Sequence, residues 1–514
     1  MKGILGWIER TGNKLPDPVF IFVWLIGLLI LFSAAASWAG YSAPHPTQID
    51  ENSAPFVIRA VSLLSPDNIR RLWVEMPQTF THFHPLGYVL VVMLGAGVAE
   101  RSGLLASAMR AGVRGAPKSL LTPAVAFVAM TGNLAADAAY VVLIPLAALL
   151  FAAAGRHPIA GIAAAFGGVS GGFSANLLPG QLDALLFGIT EAAAESIAPT
   201  WDANIAGNWY FIAAMLILFL PVIWVVTDAV IEPRLTKFSP PDGEAMKNLG
   251  DAKAPLTLQQ KRGLGRAGLA ALFVCALWAA CVFMPGTPLI DEEAAVPEAR
   301  LTPLYQSLVA AFFVLFLLAG WAYGSAAGTV NNHRDAVRMM TGAMSDLAYY
   351  LVLAFAAAHF VAMFNWSNLG LLFAVQGASA IEQSGLPMPL VLTLIVLFAG
   401  LINLFIGSAS AKWALIAPVL VPMMMLLGVS PEMATAAYRV GDSTTNIITP
   451  LMVYFPLVLT FCQRWRGGFG LGSLTAVMIP YSLWLMIAGL GLTFAWVWFD
   501  LPLGPGATVD YKAP

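Results

Sequence analysis

Two of the chain's 26 Lys and Arg residues lie inside long apolar stretches, beside small polar clusters. They are Lys412 and Arg439, and Asp442 follows Arg439 by three positions. Because a charged side chain within a bilayer is costly, it marks a functional site by default. A guanidinium can clamp a carboxylate through two hydrogen bonds. We therefore expect these residues to bind an anionic group or to couple its movement to an ion.

The composition predicts an all-α polytopic membrane protein. Hydrophobic residues make up 59% of the 514 residues, charged residues make up 11%, and the mean hydropathy is +0.77. A soluble protein of this length needs more charge to cover its surface. The net charge of −2 gives no indication of nucleic-acid binding. The three cysteines lie in or beside apolar spans, which is typical of small core residues rather than of a disulfide or metal set.

Nine apolar segments are predicted to cross the membrane. They are 17–40, 84–112, 157–189, 208–230, 266–285, 303–323, 343–364, 431–463 and 471–499. Two further apolar stretches, 119–154 and 388–427, are interrupted near the middle by Gly and small polar residues. Each half is too short to cross comfortably alone, so we expect two re-entrant hairpins.

The positive charges predict an N-terminus in the cytoplasm. With that orientation the inside segments hold 19 Lys and Arg residues and the outside segments hold 5. This excess agrees with the positive-inside bias. If either hairpin were a single crossing, every later loop would change sides and the bias would weaken.

The same pattern divides the chain into six parts. They are a first helix and external loop at 1–83, a first transport repeat at 84–231, a cytoplasmic linker at 232–265, two scaffold or dimerisation helices with a cytoplasmic loop at 266–342, a second transport repeat at 343–499, and a C-terminal tail at 500–514.

The two repeats match weakly in sequence but are predicted to have opposite orientations. The hairpin tips at Gly132 and Gly407 are 275 positions apart, and the polar breaks that end at Asn176 and Asn446 are 270 apart. Secondary transporters place substrate and ion sites at such matched interruptions near the midplane. The alternative is that these small residues only permit close helix packing.

Each charged candidate has a structural alternative. Arg439 either clamps a carboxylate or pairs with Asp442 on its own helix face. Asp183 and Asp442 flank the breaks, where each either carries a coupling proton or caps a helix. Asp137 either binds an ion or caps the first hairpin tip. Lys412 is able to extend to the outer face, which makes it the weaker candidate.

Neutral groups complete the candidate site. Side-chain oxygens near the tips and breaks suit Na⁺ or polar substrate groups, and they belong to Asn133, Ser174, Asn176, Ser408, Ser410, Thr444 and Asn446. A sodium site is predicted near Asn133, Asp137, Ser174, Ser408 and Thr444. Trp413 either stacks on an aromatic ring or fills the core. Pro418, Pro431 and Pro450 are expected to fix kinks and helix starts.

These residues resemble the p-aminobenzoyl-glutamate transporter (AbgT) family over nearly the whole chain. The resemblance is carried by the opening at 7–16 (WIERTGNKLP), the Gly132-Asn133 tip, the break at 173–177 (FSANL), Lys412-Trp413, and 438–446 (YRVGDSTTN). The last string is the most specific.

The resemblance implies nine spans and two hairpins in a bowl-shaped homodimer of the bacterial inner membrane. It implies import of p-aminobenzoyl-glutamate or export of sulfonamide antimetabolites, driven by H⁺ or Na⁺ without another cofactor. The family's functional positions match Asp183, Trp413, Pro418, Pro431, Arg439, Asp442 and Pro450, with Ser410 nearby. The substrate combines an aromatic ring with carboxylates, so Arg439 and Trp413 suit it chemically.

Three other functions remain open. A sodium-coupled dicarboxylate symporter has a similar predicted fold, although the tips here depart from the paired Ser-Asn-Thr pattern of such proteins. A channel would need no coupling residue. An intramembrane serine protease would use Ser170 in the string GVSG, but it needs a histidine base, and His359 is the mid-span candidate. We do not expect an enzyme.

Overall fold

The computed structural model describes residues 18–49, 55–114, 117–135, 139–235, 256–284, 286, 288–292, 302–449, 452 and 454–511. Within these ranges the first half of the chain forms α1 (Pro18–Trp38), β1 (Ser42–Ile49), β2 (Pro55–Arg59), α2 (Pro66–Val74), α3 (Met76–Thr81), α4 (His84–Arg101), α5 (Leu104–Arg114), α6 (Leu121–Thr131), α7 (Ile144–Ala153), α8 (Pro158–Phe166), α9 (Gln181–Ala194) and α10 (Trp209–Val225). The second half forms α11 (Leu258–Phe283), α12 (Thr302–Gln306), α13 (Leu308–Ala327), α14 (His333–Asp346), α15 (Ala348–Trp366), α16 (Leu369–Ser384), α17 (Met388–Asn403), α18 (Ala409–Leu426), α19 (Pro431–Asn446), α20 (Phe455–Trp465) and α21 (Leu471–Trp498).

The predicted class, a polytopic helical membrane protein, is confirmed. By length and composition, seven helices of the described ranges are long and apolar enough to cross a bilayer. They are Val19–Trp38, Trp209–Arg234, Leu258–Phe283, Leu308–Ala327, Ala348–Trp366, Ala409–Leu426 and Leu471–Trp498. Shorter apolar helices include α7 and α17. The number of nine crossings and the division into six parts stay predictions.

Both predicted hairpins are interrupted where the glycines indicated. After α6 the chain forms a short 3-10 helix at Gly132–Ala135 and a π-helical turn at Ala139–Leu143 before α7 begins. Asp137 lies outside the described residues. After α17 the chain leaves helical geometry until Ser408, whose hydroxyl accepts a hydrogen bond from the N–H of Ala411 at 3.3 Å and caps α18.

The prediction that every hairpin half is too short to cross was wrong for α18. This helix has 18 residues, and a helix of that length extends about 27 Å, close to the hydrocarbon thickness of a bilayer. The interruption before α18 is therefore established, whereas re-entry by the same face stays a prediction.

The two halves also share a two-residue helix interruption that the sequence interpretation missed. The helices α4 and α5 are separated by Ser102 and by Gly103, at φ +88°. The helices α15 and α16 are separated by Ser367 and by Asn368, at φ +57°. Both serines are buried, and each hydroxyl donates to a carbonyl oxygen three residues earlier, at 3.1 and 2.8 Å. Glycine and asparagine are the residues that adopt this left-handed conformation most readily.

The first predicted break interrupts its helix, but the prediction of a second break at 441–446 was wrong, because these residues are helical and α19 is interrupted only after Asn446. The hydroxyls of Thr444 and Thr445 bond to carbonyl oxygens four residues earlier, so this polar run continues the helix. The helix α8 continues into a π-helical turn at Gly167–Gly171, and residues 172–180 then separate this turn from α9. The helix α19 ends at Asn446, well before α20 begins. The backbone N–H of Ser174 donates to Ser443 Oγ at 3.0 Å, so the first break contacts the polar run of α19.

Several peripheral segments differ from the sequence prediction. The segment predicted as an external loop contains an antiparallel hairpin, β1–β2, in addition to the short helices α2 and α3. The helix α11 begins at Leu258, eight residues before the predicted 266, because Thr257 and Gln260 cap it reciprocally. The predicted C-terminal tail folds back, and the carbonyl oxygen of Val509 accepts a 2.8 Å hydrogen bond from the N–H of Ser430 at the start of α19.

Candidate functional site

Arg439 pairs with Asp183 between the two halves of the chain. Its Nη2 donates to Asp183 Oδ1 at 2.7 Å, and the side chains are 1% and 6% exposed. Asp183 Oδ2 also accepts a hydrogen bond from the N–H of Gly180 at 2.7 Å, which caps α9. Asp183 is therefore both a helix cap and an ion-pair partner. The alternative that Arg439 pairs with Asp442 is wrong, because Asp442 has a different cation.

Arg439 keeps hydrogen-bonding capacity that the described residues do not use. Its Nε and Nη1 are buried, and neither has a hydrogen-bond partner among the described residues. The guanidinium carbon lies 6.0 Å from the ring centre of Phe187. Unsatisfied buried donors are costly and call for an explanation. Free N–H groups on a buried guanidinium suit an incoming carboxylate.

Lys412 forms a second buried ion pair, with Asp442. Its Nζ contacts Asp442 Oδ1 and the side-chain oxygen of Asn403, and the two charged side chains are 0% and 2% exposed. The prediction that Lys412 extends to the outer face was therefore wrong. The pair joins α18, which follows the second hairpin tip, to the broken helix α19.

Asn403 is a polar residue of this cluster that sequence reasoning missed. Its amide nitrogen lies 2.7 Å from the backbone oxygen of Asp442, 2.8 Å from Thr445 Oγ1 and 2.9 Å from Asn446 Oδ1. A signal was available, because Asn403 is an amide at the end of an otherwise apolar helix just before the tip. Polar residues inside apolar spans are candidates for functional positions.

Trp413, on α18, is packed against Tyr438 of α19 and Thr190 of α9. Its ring stacks on Tyr438 with centroids 4.5 Å apart and an interplanar angle of 26°. Its Nε1 donates to Thr190 Oγ1 at 2.9 Å, and Thr190 Oγ1 lies 2.9 Å from Thr435 Oγ1. Trp413 is fully buried, so a substrate ring would have to replace Tyr438 or follow a rearrangement.

The predicted polar oxygens lie at several places around the ion pairs. Asn133 Nδ2 donates to the carbonyl oxygen of Gly172 at 3.3 Å, and Asn176 Nδ2 donates to that of Met130 at 3.4 Å. These two contacts join the first hairpin to the first break. The buried hydroxyl of Ser174 has no hydrogen-bond partner in the described part of the chain.

The remaining oxygens belong to the second repeat. Ser408 and Ser410 share a 3.2 Å hydrogen bond at the hairpin tip. The hydroxyl of Thr444 donates to the carbonyl oxygen of Val440 in its own helix at 2.8 Å, and Asn446 faces Asn403. The described contacts do not join these groups into one oxygen cage with Asn133 and Ser174, so a shared sodium site stays a prediction.

The described prolines shape the helices that carry the ion pairs. Pro431 occupies the first position of α19, and the hydroxyl of Ser430 accepts a hydrogen bond from the N–H of Met433 at 3.1 Å to cap it. Pro418 lies inside α18, as does Pro422. Pro450 lies outside the described residues.

The contacts do not assemble the parts of a serine protease. The hydroxyl of Ser170 donates to the sulfur of Met452 at 3.4 Å. His359 is buried in α15, and its Nδ1 lies 2.7 Å from the carbonyl oxygen of Phe355. The serine thus contacts a thioether, which cannot accept its proton as a general base.

A small apolar cavity lies beside Ser410, between α9, α15 and α18. Its volume is about 10 Å³, and its lining includes Leu185, Ile189, Tyr350 and Ala414. That volume holds about one water molecule. The helices are therefore closed at this position, and an aromatic cargo would require them to separate.

Comparisons with known proteins agree with this architecture. The model of the AbgT putative transporter family matches residues 3–511. The p-aminobenzoyl-glutamate transport protein of Escherichia coli (strain K12) is 35% identical over 505 residues, which cover 98% of this chain and 96% of that protein.

Two solved structures are similar throughout. The YdaH transporter of Alcanivorax borkumensis is 42% identical with a TM-score of 0.87, covering 95% of this chain and all of that one. MtrF of Neisseria gonorrhoeae, whose structure is presented as illuminating a class of antimetabolite efflux pumps, is 40% identical with a TM-score of 0.91, covering 98% of this chain and all of that one. These relatives are transporters rather than enzymes. With a family match over nearly its whole length, the chain is a multi-pass membrane protein that belongs to the AbgT putative transporter family.

Proposed function

We propose that this protein is a secondary active transporter of p-aminobenzoyl-glutamate and of sulfonamide antimetabolites, with a binding site between the hairpin tips and the broken helices. The observation that carries the proposal is the buried guanidinium of Arg439, whose Nε and Nη1 are unpaired among the described residues. A carboxylate of the glutamate group would satisfy both donors. The names of the relatives in Escherichia coli and Neisseria gonorrhoeae support the two classes of cargo.

The aromatic part of the cargo would bind near Trp413. Both cargo types contain a p-aminophenyl ring, which could stack on aromatic side chains. Tyr438, which stacks on Trp413, donates a 2.6 Å hydrogen bond to the carbonyl oxygen of Ala409, the residue before Ser410. Opening the helices around the small cavity beside Ser410 would expose aromatic and apolar surface to the ring. The residues proposed for binding or coupling are Asn133, Asn176, Asp183, Ser410, Trp413, Pro418, Pro431, Arg439, Asp442, Asn446 and Pro450.

The energy source would be an ion gradient, with H⁺ favoured over Na⁺. Asp183 and Asp442 are buried carboxylates, and each is paired with a cation on another helix. Asp183 of α9 pairs with Arg439 of α19, and Asp442 of α19 pairs with Lys412 of α18. Such pairs change their charge only when a proton enters or leaves, which links protonation to opening of the site.

The protein would act as a homodimer in the bacterial inner membrane, with its N-terminus in the cytoplasm. The excess of Lys and Arg in the inside segments supports this orientation. The helix α11 leaves Leu269, Leu272 and Phe273 more than 60% exposed, which suits contact with lipid or with a second copy.

A liposome assay with purified protein tests this proposal. Counterflow of radiolabelled p-aminobenzoyl-glutamate, competed by a sulfonamide, is expected, as is accumulation when a pH gradient is imposed. A Na⁺ gradient is imposed separately as the alternative driving force. Succinate uptake without competition by p-aminobenzoyl-glutamate would favour a dicarboxylate symporter, and ionic current without coupling would favour a channel.

A further inference from the structure

The ammonium group of Lys412 lies where three helices, α17, α18 and α19, meet. Its Nζ in α18 contacts Asp442 in α19 and Asn403 at the end of α17. The amide of Asn403 in turn contacts the backbone oxygen of Asp442 and the side chains of Thr445 and Asn446. Lys412 is thus a univalent cation that the chain itself supplies to a buried group of oxygens.

We propose that Lys412 is the residue that binds and releases the coupling proton of transport. This inference depends on the proposed function, because it assigns the coupling step of that same site. An ammonium can lose its proton, whereas a guanidinium stays protonated in proteins. The chain has both types of buried cation in one site: Arg439 with spare donors for cargo, and Lys412 with its carboxylate partner already in place.

The proton balance is simple. When water reaches the pair from one side of the membrane, the Lys412 ammonium transfers one proton to that water and becomes a neutral amine. The net charge of the Lys412–Asp442 pair then changes from zero to minus one. Return of a proton from water on the other side restores the pair. A buried carboxylate without its cation is strongly unfavourable, so release is confined to states in which water enters.

Other charged groups surround α18 but have different partners or positions. The helices packed against α18 carry Asp183 and Glu191 on α9, Tyr349, Tyr350 and His359 on α15, Glu382 on α16, and Glu432, Tyr438, Arg439 and Asp442 on α19, while residues 388–403 of α17 contain no titratable side chain. Arg439 is paired with Asp183. The hydroxyl of Tyr438 lies 3.5 Å from Asp442 Oδ1, so it is the neighbour that can stabilise this carboxylate when Lys412 is neutral.

Two transport measurements on the same proteoliposomes separate coupling from binding. Counterflow of radiolabelled p-aminobenzoyl-glutamate at equal pH needs no net proton movement, whereas accumulation in an imposed pH gradient does. Lys412→Arg keeps the positive charge but removes the releasable proton, so the ratio of accumulation to counterflow is expected to fall at least about tenfold. A double variant, Lys412→Met with Asp442→Asn, removes both charges together and is expected to lower the ratio similarly.

Each outcome decides the matter. A wild-type ratio in either variant would overturn the role of Lys412. If only Lys412→Arg loses counterflow, the ratio measured for the double variant is the test. If both variants lose counterflow, the Lys412–Asp442 pair is needed for binding or folding, and the inference is overturned. Absence of counterflow in the unmodified protein would instead reject the proposed cargo, and the inference would fail with it.

Discussion

Arg439 Nη2 lies 2.7 Å from Asp183 Oδ1, although the two residues are 256 positions apart in the chain. The pair joins the middle of α19, in the second half of the chain, to the first turn of α9, in the first half. Its position ties the packing of one half of the chain to that of the other. Any cargo that competes for Arg439 would therefore act on the contact between α9 and α19.

Removal of Arg439 alone is expected to destabilise the protein strongly. Arg439→Gln leaves the Asp183 carboxylate buried without its cation, which costs about 3–5 kcal/mol. The double variant Arg439→Gln with Asp183→Asn should regain most of this loss, because no uncompensated charge remains. Thermal unfolding in detergent, followed for both variants, measures the difference. The exposed pair of Arg70 with Asp67 provides a control, since the side chains are 72% and 84% exposed and the loss of Arg70 should cost less than about 1 kcal/mol.

Trp413 should tolerate a change that preserves its ring stack. Trp413→Phe keeps stacking on Tyr438 and loses the hydrogen bond to Thr190, so we expect a loss of about 1 kcal/mol. Trp413→Ala removes the whole buried ring and should cost about 3–5 kcal/mol. Thermal unfolding compares them, with Trp498→Ala as a control because Trp498 is 69% exposed. Equal losses for Phe and Ala at position 413 would show that the stack contributes little.

Stability should decrease in mild acid partly because of His157, which lies just before α8. Burial lowers the pKa of His157, and the opposing attraction of Glu232 does not offset it. The unfolded chain then binds the proton more readily than the folded protein, so stability is lost as pH falls below about 6.5. His157 Nδ1 also caps α8 by accepting a bond from the N–H of Ile159 at 3.1 Å.

The variant His157→Asn separates the two roles of His157, since asparagine is a good cap but does not titrate. The drop in unfolding temperature from about pH 7.5 to about pH 5.5 should become smaller in this variant. His333→Asn, at an exposed position, serves as the control. An unchanged pH dependence in His157→Asn would assign the acid sensitivity to other groups.

The close contact of α17 with α19 should not accept a methyl group at Gly441. A β-carbon there would overlap the carbonyl oxygen of Val396 and lie 2.9 Å from the β-carbon of Ala399. Gly441→Ala is therefore expected to cost about 1–3 kcal/mol through overpacking. Gly491→Ala in α21 is the matched control, because nothing lies within 4 Å of its added carbon. Similar unfolding temperatures for the two variants would contradict the close packing around Asp442.

The sequence was sufficient to predict the class, the interruptions and the types of the site residues. The length of the apolar runs indicated the long helices, and Gly with small polar residues marked both hairpin interruptions and the first break. The similar run at 441–446 is helical instead. Arg439, Asp183 and Asp442 were recognisable because charge is rare within such helices. Which cation meets which carboxylate was not predictable, because the pairing of Arg439 with Asp183 depends on how helices far apart in sequence pack.

Other features left too weak a signal. The helix α16 was missed because Gln376, Glu382 and Gln383 lower its hydropathy below that of a typical span. The burial of Lys412 was not predicted, because the sequence does not show whether a hairpin tip lies at the membrane surface or near the middle of the bilayer. Asn403 could be recognised as an amide in an apolar helix, but no repeated pattern around it predicted which residues it contacts.

The most direct test of this account is the dependence of cargo recognition on the Arg439 guanidinium. Counterflow in proteoliposomes is measured for p-aminobenzoyl-glutamate and for its analogue with both carboxylates converted to carboxamides. Wild-type protein should prefer the carboxylate form by at least about tenfold, and Arg439→Lys should lose that preference, because lysine keeps the charge beside Asp183 but lacks the planar fork. If Arg439→Lys exchanges the carboxylate cargo with the wild-type preference, Arg439 does not hold the cargo.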